Sequence, residues 1–252
     1  MTFAELKAHI HNCLQPLYPK SEINSFYFIL LEHYVNYTTA DVLANADTLL
    51  TDDIKRSIQQ AITELQTAKP IQYILGETEF FSNRFFVNEN VLIPRPETEE
   101  LVDWVLQEYL DKSEKIKILD VGTGSGCIAI SLAKALPNAV VTAIDISKGA
   151  LKVAKRNAEL NSVVTHFLQQ DILRIETLPN KYDIIISNPP YVRELEKKEI
   201  RHNVLAYEPH LALFVPDNNP LLFYDKIATL AQQTLNPNGS LFFEINQYLG
   251  QE

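Results

Sequence analysis

The chain has 252 residues, 46% hydrophobic and 21% charged, enough apolar material for one large core or two smaller ones, which excludes a disordered chain. Its only two cysteines, Cys13 and Cys127, are far apart, which excludes a disulfide scaffold and fits a reducing compartment. With 22 basic against 32 acidic residues the net charge is −10, which argues against sequence-general nucleic-acid binding.

Residues 1 to about 70 read as helices only, a small acidic bundle. Ser21 is a candidate cap for a helix through Ile23, Phe26, Ile29, Leu30 and Tyr34, and Thr39 and Thr51 are cap-like starts followed by acids. No glycine precedes Gly76, so ordinary backbone angles are expected throughout this part. Residues 71 to 93 are rich in strand-type side chains (Tyr73, Ile74, Phe80, Phe81, Phe85, Phe86, Val87) and predict a β-hairpin connector. Pro96 with Glu97 and Glu99 opens a helix whose apolar face is Leu101, Val102, Val105, Leu106 and Leu110. From 116 onward strands and helices alternate. Strands are predicted over 116–121, 139–144, 163–168, 182–187 and 240–245, with helices over 127–136, 148–160 and 221–235. Such alternation predicts parallel βαβ units in a doubly wound α/β sheet. Three parts follow: a helical domain 1–70, a connector 71–93 and a catalytic domain 94–252.

Four clusters could carry chemistry. Three of the seven glycines sit in Gly122-Thr123-Gly124-Ser125-Gly126, where a strand feeds a helix and a ligand can approach the backbone. The Gly-x-Gly-x-Gly spacing is not that of a dinucleotide site. Asp145 ends the next strand, where a carboxylate can hold ribose hydroxyls; an ordinary helix cap is the plainer reading, though Ser147 could cap instead. Asp171 after the third strand could bond an adenine amino group or cap a turn. Asn188-Pro189-Pro190-Tyr191 follows the strand ending at Ser187. Its prolines remove two N–H donors, so a carbonyl and the Asn188 side chain offer two neutral acceptors suited to a planar NH2 group, with the Tyr191 ring beside them. His202 and His210 read as surface or packing residues, Trp104 and Cys127 as packing residues, and Glu194 to Arg201 as a solvated helix or, from its place just after Tyr191, a substrate gate. Arg95 reads as a helix-start ion-pair partner of Glu97 and Glu99, or as part of a lid. No His/Cys cluster has metal-ligand spacing, so no metal is expected.

Together the glycine turn, Asp145 and Asn-Pro-Pro-Tyr resemble the class I S-adenosylmethionine methyltransferases that modify planar NH2 groups. Further segments, Pro70 to Gly76, Val91 to Glu99 and Glu208 to Leu213, are similar to the release factor glutamine methyltransferase family, PrmC or HemK, over about residues 70 to 245. The resemblance implies a Rossmann-like catalytic domain behind a helical substrate-recognition domain. It implies S-adenosyl-L-methionine as cofactor and the glutamine of the Gly-Gly-Gln motif of class I peptide chain release factors as acceptor, giving N5-methylglutamine. By position, Gly122, Thr123, Gly124, Ser125 and Gly126 would line the methionine part, Asp145 the ribose, and Asp171 with Ile172 the adenine. Asn188, Pro189, Pro190 and Tyr191 would bind the target amide, with Asn188 also touching the cofactor.

Three departures stand out. Ile172 replaces an aromatic residue, and Val215 to Pro220 replaces a glycine-rich stretch. The chain also ends at Glu252, so a C-terminal strand pair is expected to be missing. The competing readings are an adenine-N6 nucleic-acid methyltransferase, which the acidic charge disfavours, and a non-enzymatic cofactor-binding scaffold. A monomeric cytoplasmic protein, with no DNA and no membrane partner, is expected.

Overall fold

A computed structural model describes residues 1–109 and 115–246. The predicted helix position Leu110 and the segment after Asn246 lie outside the described residues. The chain divides into two compact units, Met1–Leu75 with His202–Tyr207, and Gly76–Arg201 with Glu208–Glu252.

The first unit holds α1 (Phe3–Leu14), α2 (Lys20–Val35), α3 (Thr39–Ala44), α4 (Asp52–Leu65) and α5 (Ile71–Leu75). In α4, Ile58, Ala61, Ile62 and Leu65 recur on one face and are buried, joining Phe3, Ile10, Leu30 and Leu31 in one core. Each fully buried aliphatic side chain there contributes about 1.5–3 kcal/mol. Thr2 and Thr38 close capping boxes with Glu5 and Asp41, and the Thr51 hydroxyl accepts from Ile54 N. Four expectations fail here. The cap of α3 is Thr38 and not Thr39, because Asp41 returns a bond to the Thr38 N–H. Ser21 lies inside α2, since Pro19 already holds extended backbone at the cap position. Two non-glycine residues adopt left-handed backbone, Asn36 (φ 60°) ending α2 and Ala68 (φ 63°) in a turn closed by its N–H on Leu65 O. Tyr73 and Ile74 are helical, so the predicted hairpin begins only at Glu77. The short helix α9 (His202–Tyr207) clusters with this unit, and Tyr207 OH donates to Thr67 O at 2.9 Å.

The second unit opens with an antiparallel hairpin of β1 (Glu77–Phe80) and β2 (Asn83–Phe86), followed by α6 (Pro96–Tyr109). Residues 87–93 carry no strand. A five-stranded parallel sheet comes next: β3 (Lys117–Val121), β4 (Val140–Asp145), β5 (His166–Gln169), β6 (Tyr182–Ser187) and β9 (Leu235–Phe243), in the order β5-β4-β3-β6-β9. The minor strands β7 (Val192–Arg193) and β8 (Phe214–Val215) pair separately. Helices α7 (Cys127–Ala135) and α8 (Lys148–Leu160) follow β3 and β4, and α10 (Leu222–Thr234) precedes β9. Both sheet faces are buried. Ile118, Ile184 and Ile186 pack with α6 and α7, whereas Leu119, Val121 and Ile185 pack with Ile227 and Leu230 of α10. Trp104, expected as packing, is 54% exposed and touches Phe242 with its ring edge-on, because it leaves α6 on the side away from Val102 and Val105. Among the described residues no helix is long and apolar enough to cross a membrane.

Candidate active site

Chain order fixes where the site must lie. Strand β3 leads to one side of the sheet through β4, and β6 lies on its other side. The sheet order therefore reverses between β3 and β6, and the crevice beyond their carboxyl ends is where such sheets take ligands. Val121 at the end of β3 pairs in register with Ser187 at the end of β6. The glycine turn and Asn-Pro-Pro-Tyr are thus neighbours, and Ser187 Oγ donates to Val121 O at 2.7 Å to hold them so.

The turn is built on left-handed backbone, with φ of 76° at Gly122, 55° at Gly124 and 83° at Gly126. Gly122 N and Thr123 N donate to Ile144 O, which stitches the turn to β4. A Cβ on Gly122 or Gly124 would meet nothing within 4 Å, so both leave open space above the backbone. A Cβ on Gly126 would stand 2.9 Å from Ile130 Cδ1 and 3.2 Å from Ala154 Cβ, so this glycine serves helix packing. Beside the turn, Asp120 is fully buried; Thr123 Oγ1 donates to its Oδ2 at 2.6 Å, and Oδ1 has no partner among the described residues. Burial pushes its carboxyl up to about 7, against the Thr123 bond.

Asp145 accepts from Gly124 N and from Ser147 N, each at 2.8 Å. Ser147 caps α8 by accepting from Ala150 N, so Asp145 is not the cap. Burial raises its carboxyl above the ordinary range, opposed by those backbone bonds. Asp171 does cap: it accepts from Leu173 N at 3.0 Å, starting the single-turn helix Ile172–Arg174, and it pairs with Arg174. Ile172 is buried against Leu119 and Ile144.

One cavity collects these groups. Gly122, Thr123, Gly124 and Ser125 line it with Asp145, Asp171 and Ile172 on one side and Asn188, Pro189 and Pro190 on the other. Gly126 and Tyr191 are not in the lining. Tyr191 instead donates its hydroxyl to Glu244 Oε1 at 3.1 Å. Burial first, and then the Glu244 charge, drive that phenol's pKa far up, so it stays protonated at neutral pH.

A strap from Asn90 to Arg95 lines another wall. Asn90 lies so close to Gly149 that a Cβ there would sit 2.3 Å from its side-chain oxygen. The other end of the strap is tied to Glu208, which is buried and accepts from Ile93 N at 3.1 Å and from Arg95 at 2.6 Å. Arg95 therefore does not pair with Glu97 or Glu99; Glu99 accepts from Phe81 N instead. Sequence reasoning also passed over Asn157, fully buried in α8. Its amide accepts from Phe86 N and donates to Phe86 O and Ser125 O, tying hairpin to glycine turn. An asparagine on the apolar face of a helix was the available signal.

Residues 103–211 match the methyltransferase small domain, and residues 7–76 the PrmC N-terminal domain. A release factor glutamine methyltransferase of Flavobacterium psychrophilum is 53% identical over 100% of this chain and 89% of its own length. The chain belongs to the release factor glutamine methyltransferase family. Proteins of the same name from Bacteroides thetaiotaomicron and Lactococcus lactis are 47% and 46% identical, over 98% and 80% of this chain and 88% and 73% of theirs. The fold is that of a class I S-adenosylmethionine methyltransferase with a helical N-terminal region, as its family implies.

The cavity suits that cofactor on its own terms. Open space over Gly122 and Gly124 admits a chain against the backbone, Asp145 ends β4 beside it, and Ile172 offers an apolar side chain.

Proposed function

We propose that this chain methylates the side-chain amide nitrogen of the glutamine in the Gly-Gly-Gln motif of class I peptide chain release factors. The observation that carries the reading is the seating of Asn188 and Pro189 in the same cavity as the glycine turn, at the reversal point of the sheet. When bound, S-adenosylmethionine supplies a methyl group on a positively charged sulfur. Gly122 to Ser125 would hold its amino-acid end, Asp145 its ribose, and Asp171 with Ile172 its adenine.

An amide nitrogen is a weak nucleophile because its lone pair is delocalised into the carbonyl. Asn188 Oδ1 and the Pro189 carbonyl accept its two N–H bonds, orient the lone pair and favour pyramidal nitrogen. That is catalysis by placement, helped by fixed dipoles facing the positive charge that grows on nitrogen. No strong base is needed, since an N-protonated amide loses its proton to water. Tyr191, held protonated, is not a base, and the His210 ring packs edge-on against Phe214. The helical unit is the part we assign to recognising the folded release factor. We take the enzyme to be a cytoplasmic monomer with no DNA or membrane partner.

Intact mass of a purified release factor, after incubation with the chain and S-adenosylmethionine, tests the reading. One added methyl on the release factor, and none on an adenine-containing duplex run in parallel, is expected. The reverse pattern would replace this reading with adenine-N6 methylation.

A further inference from the structure

An asparagine amide has nearly the same shape at both ends, but only its oxygen accepts a hydrogen bond. Something must therefore decide which end of Asn188 faces the target. Asn188 Nδ2 donates to Thr98 Oγ1 at 3.2 Å. Thr98 is 2% exposed, in the first turn of α6, and its own proton goes to Glu244 Oε2 at 2.6 Å. The other carboxylate oxygen of Glu244 takes the Tyr191 hydroxyl. Glu244 is itself fixed by its backbone: its N–H donates to Ser187 O and its carbonyl accepts from Tyr224 OH, both at 3.1 Å.

We propose that Thr98 and Glu244 are positioning residues that set the direction of every proton behind Asn188, so that its oxygen is the end turned to the target. The inference rests on the reading that Asn188 and Pro189 hold an acceptor NH2 group. An ionised carboxylate only accepts. Thr98 must then donate to it, which leaves the Thr98 oxygen to accept. That oxygen takes the Asn188 NH2 end, and Oδ1 is left for the substrate. The same carboxylate takes the Tyr191 hydroxyl on its other oxygen. A reversed chain would aim N–H donors at the target's own N–H bonds.

Two variants of near-identical shape test it. Glu244→Gln replaces one acceptor by a donor, so it cannot accept from both Thr98 and Tyr191. Thr98→Val removes the hydroxyl, and Thr98→Ser restores it. With a release factor as acceptor, both the Gln and Val variants should lose kcat by about 10- to 100-fold, as misplacement of a reacting group does. KM for the release factor and the calorimetric Kd for S-adenosylmethionine should stay within about threefold, a split that marks loss of transition-state placement alone. Thr98→Ser should recover most of kcat. Wild-type kcat in both the Gln and Val variants, with Asn188→Ala inactive, overturns the relay and leaves the proposed function standing. Loss of Tm and cofactor affinity alongside kcat in both, unrescued by serine, overturns it in favour of a structural role. An active Asn188→Ala, or a wild-type chain that leaves the release factor unmodified, removes the reading beneath it and the relay together.

Discussion

Alanine at Gly124 should cost cofactor binding, whereas alanine at Gly126 should cost stability. Both positions have positive φ, 55° and 83°, so either substitution carries about 1–2 kcal/mol of left-handed strain. At Gly126 the new methyl also meets Ile130 Cδ1 at 2.9 Å and Ala154 Cβ at 3.2 Å. The isoleucine tip can rotate; the alanine on α8 cannot, so overpacking adds about 1–3 kcal/mol. At Gly124 nothing lies within 4 Å, and the methyl projects into the cavity. For a chain of this size each kcal/mol moves Tm by roughly 2–4 °C. Thermal melting of the free protein should thus fall by a few degrees for Gly124→Ala and by roughly 5–15 °C for Gly126→Ala. Calorimetric titration with S-adenosylmethionine should show the opposite order, about tenfold or greater loss for Gly124→Ala, since about 1.4 kcal/mol of clash is enough for that. Folded Gly126→Ala should bind within a fewfold of wild type. Wild-type affinity in Gly124→Ala would refute the placement of the cofactor over this turn.

Three further outcomes follow from buried polar groups. Asn157→Ala strands Phe86 N–H, Phe86 C=O and Ser125 C=O, and urea unfolding should show a loss of about 2–5 kcal/mol; a loss under about 0.5 kcal/mol, the level of an ordinary surface change, would contradict the tie. Asp120 holds its proton in the native state to about pH 7, whereas the unfolded chain releases it near 3.8, so its contribution is fully present below pH 4 and lost as pH rises towards 7. Without cofactor, the stability of Asp120→Asn relative to wild type should therefore improve from pH 5 to 7.5 by up to a few kcal/mol; equal differences at both pH values would contradict it. Glu208→Gln leaves Arg95 without its ion partner, and because Arg95 is one-third exposed the loss is modest, about 1–2 kcal/mol. Amide exchange at 90–95 should speed up and S-adenosylmethionine dissociate faster; unchanged exchange would show that Glu208 does not hold the strap.

What the sequence disclosed was local. The apolar runs of β3, β4 and β6 and the three glycines placed the turn, because strand and turn chemistry depend on adjacent residues. Asn-Pro-Pro-Tyr could be placed just past the end of β6 for the same reason. The apolar run at Ile71–Leu75 misled, since a short stretch of β-branched and aromatic residues has no period that separates helix from strand. Trp104 misled because an aromatic residue's burial depends on which side of the helix it leaves. The site's supports were illegible: Thr98 and Glu244 lie 146 residues apart, and Arg95 and Glu208 113. Only the sheet order and the path of the strap bring them together, and no spacing in the chain encodes either.

Presentation of a glutamine amide to the methyl donor by Asn188 and Pro189 is the step on which the proposed function stands. Its most direct measurement is peptide fragmentation of a release factor treated with S-adenosylmethionine and either the wild-type chain or Asn188→Ala, with cofactor binding of both confirmed by calorimetry. A single methyl on the glutamine of the Gly-Gly-Gln motif is expected with the wild-type chain, and none with the cofactor-competent variant. A methyl on another residue, or equal methylation by the variant, would contradict it.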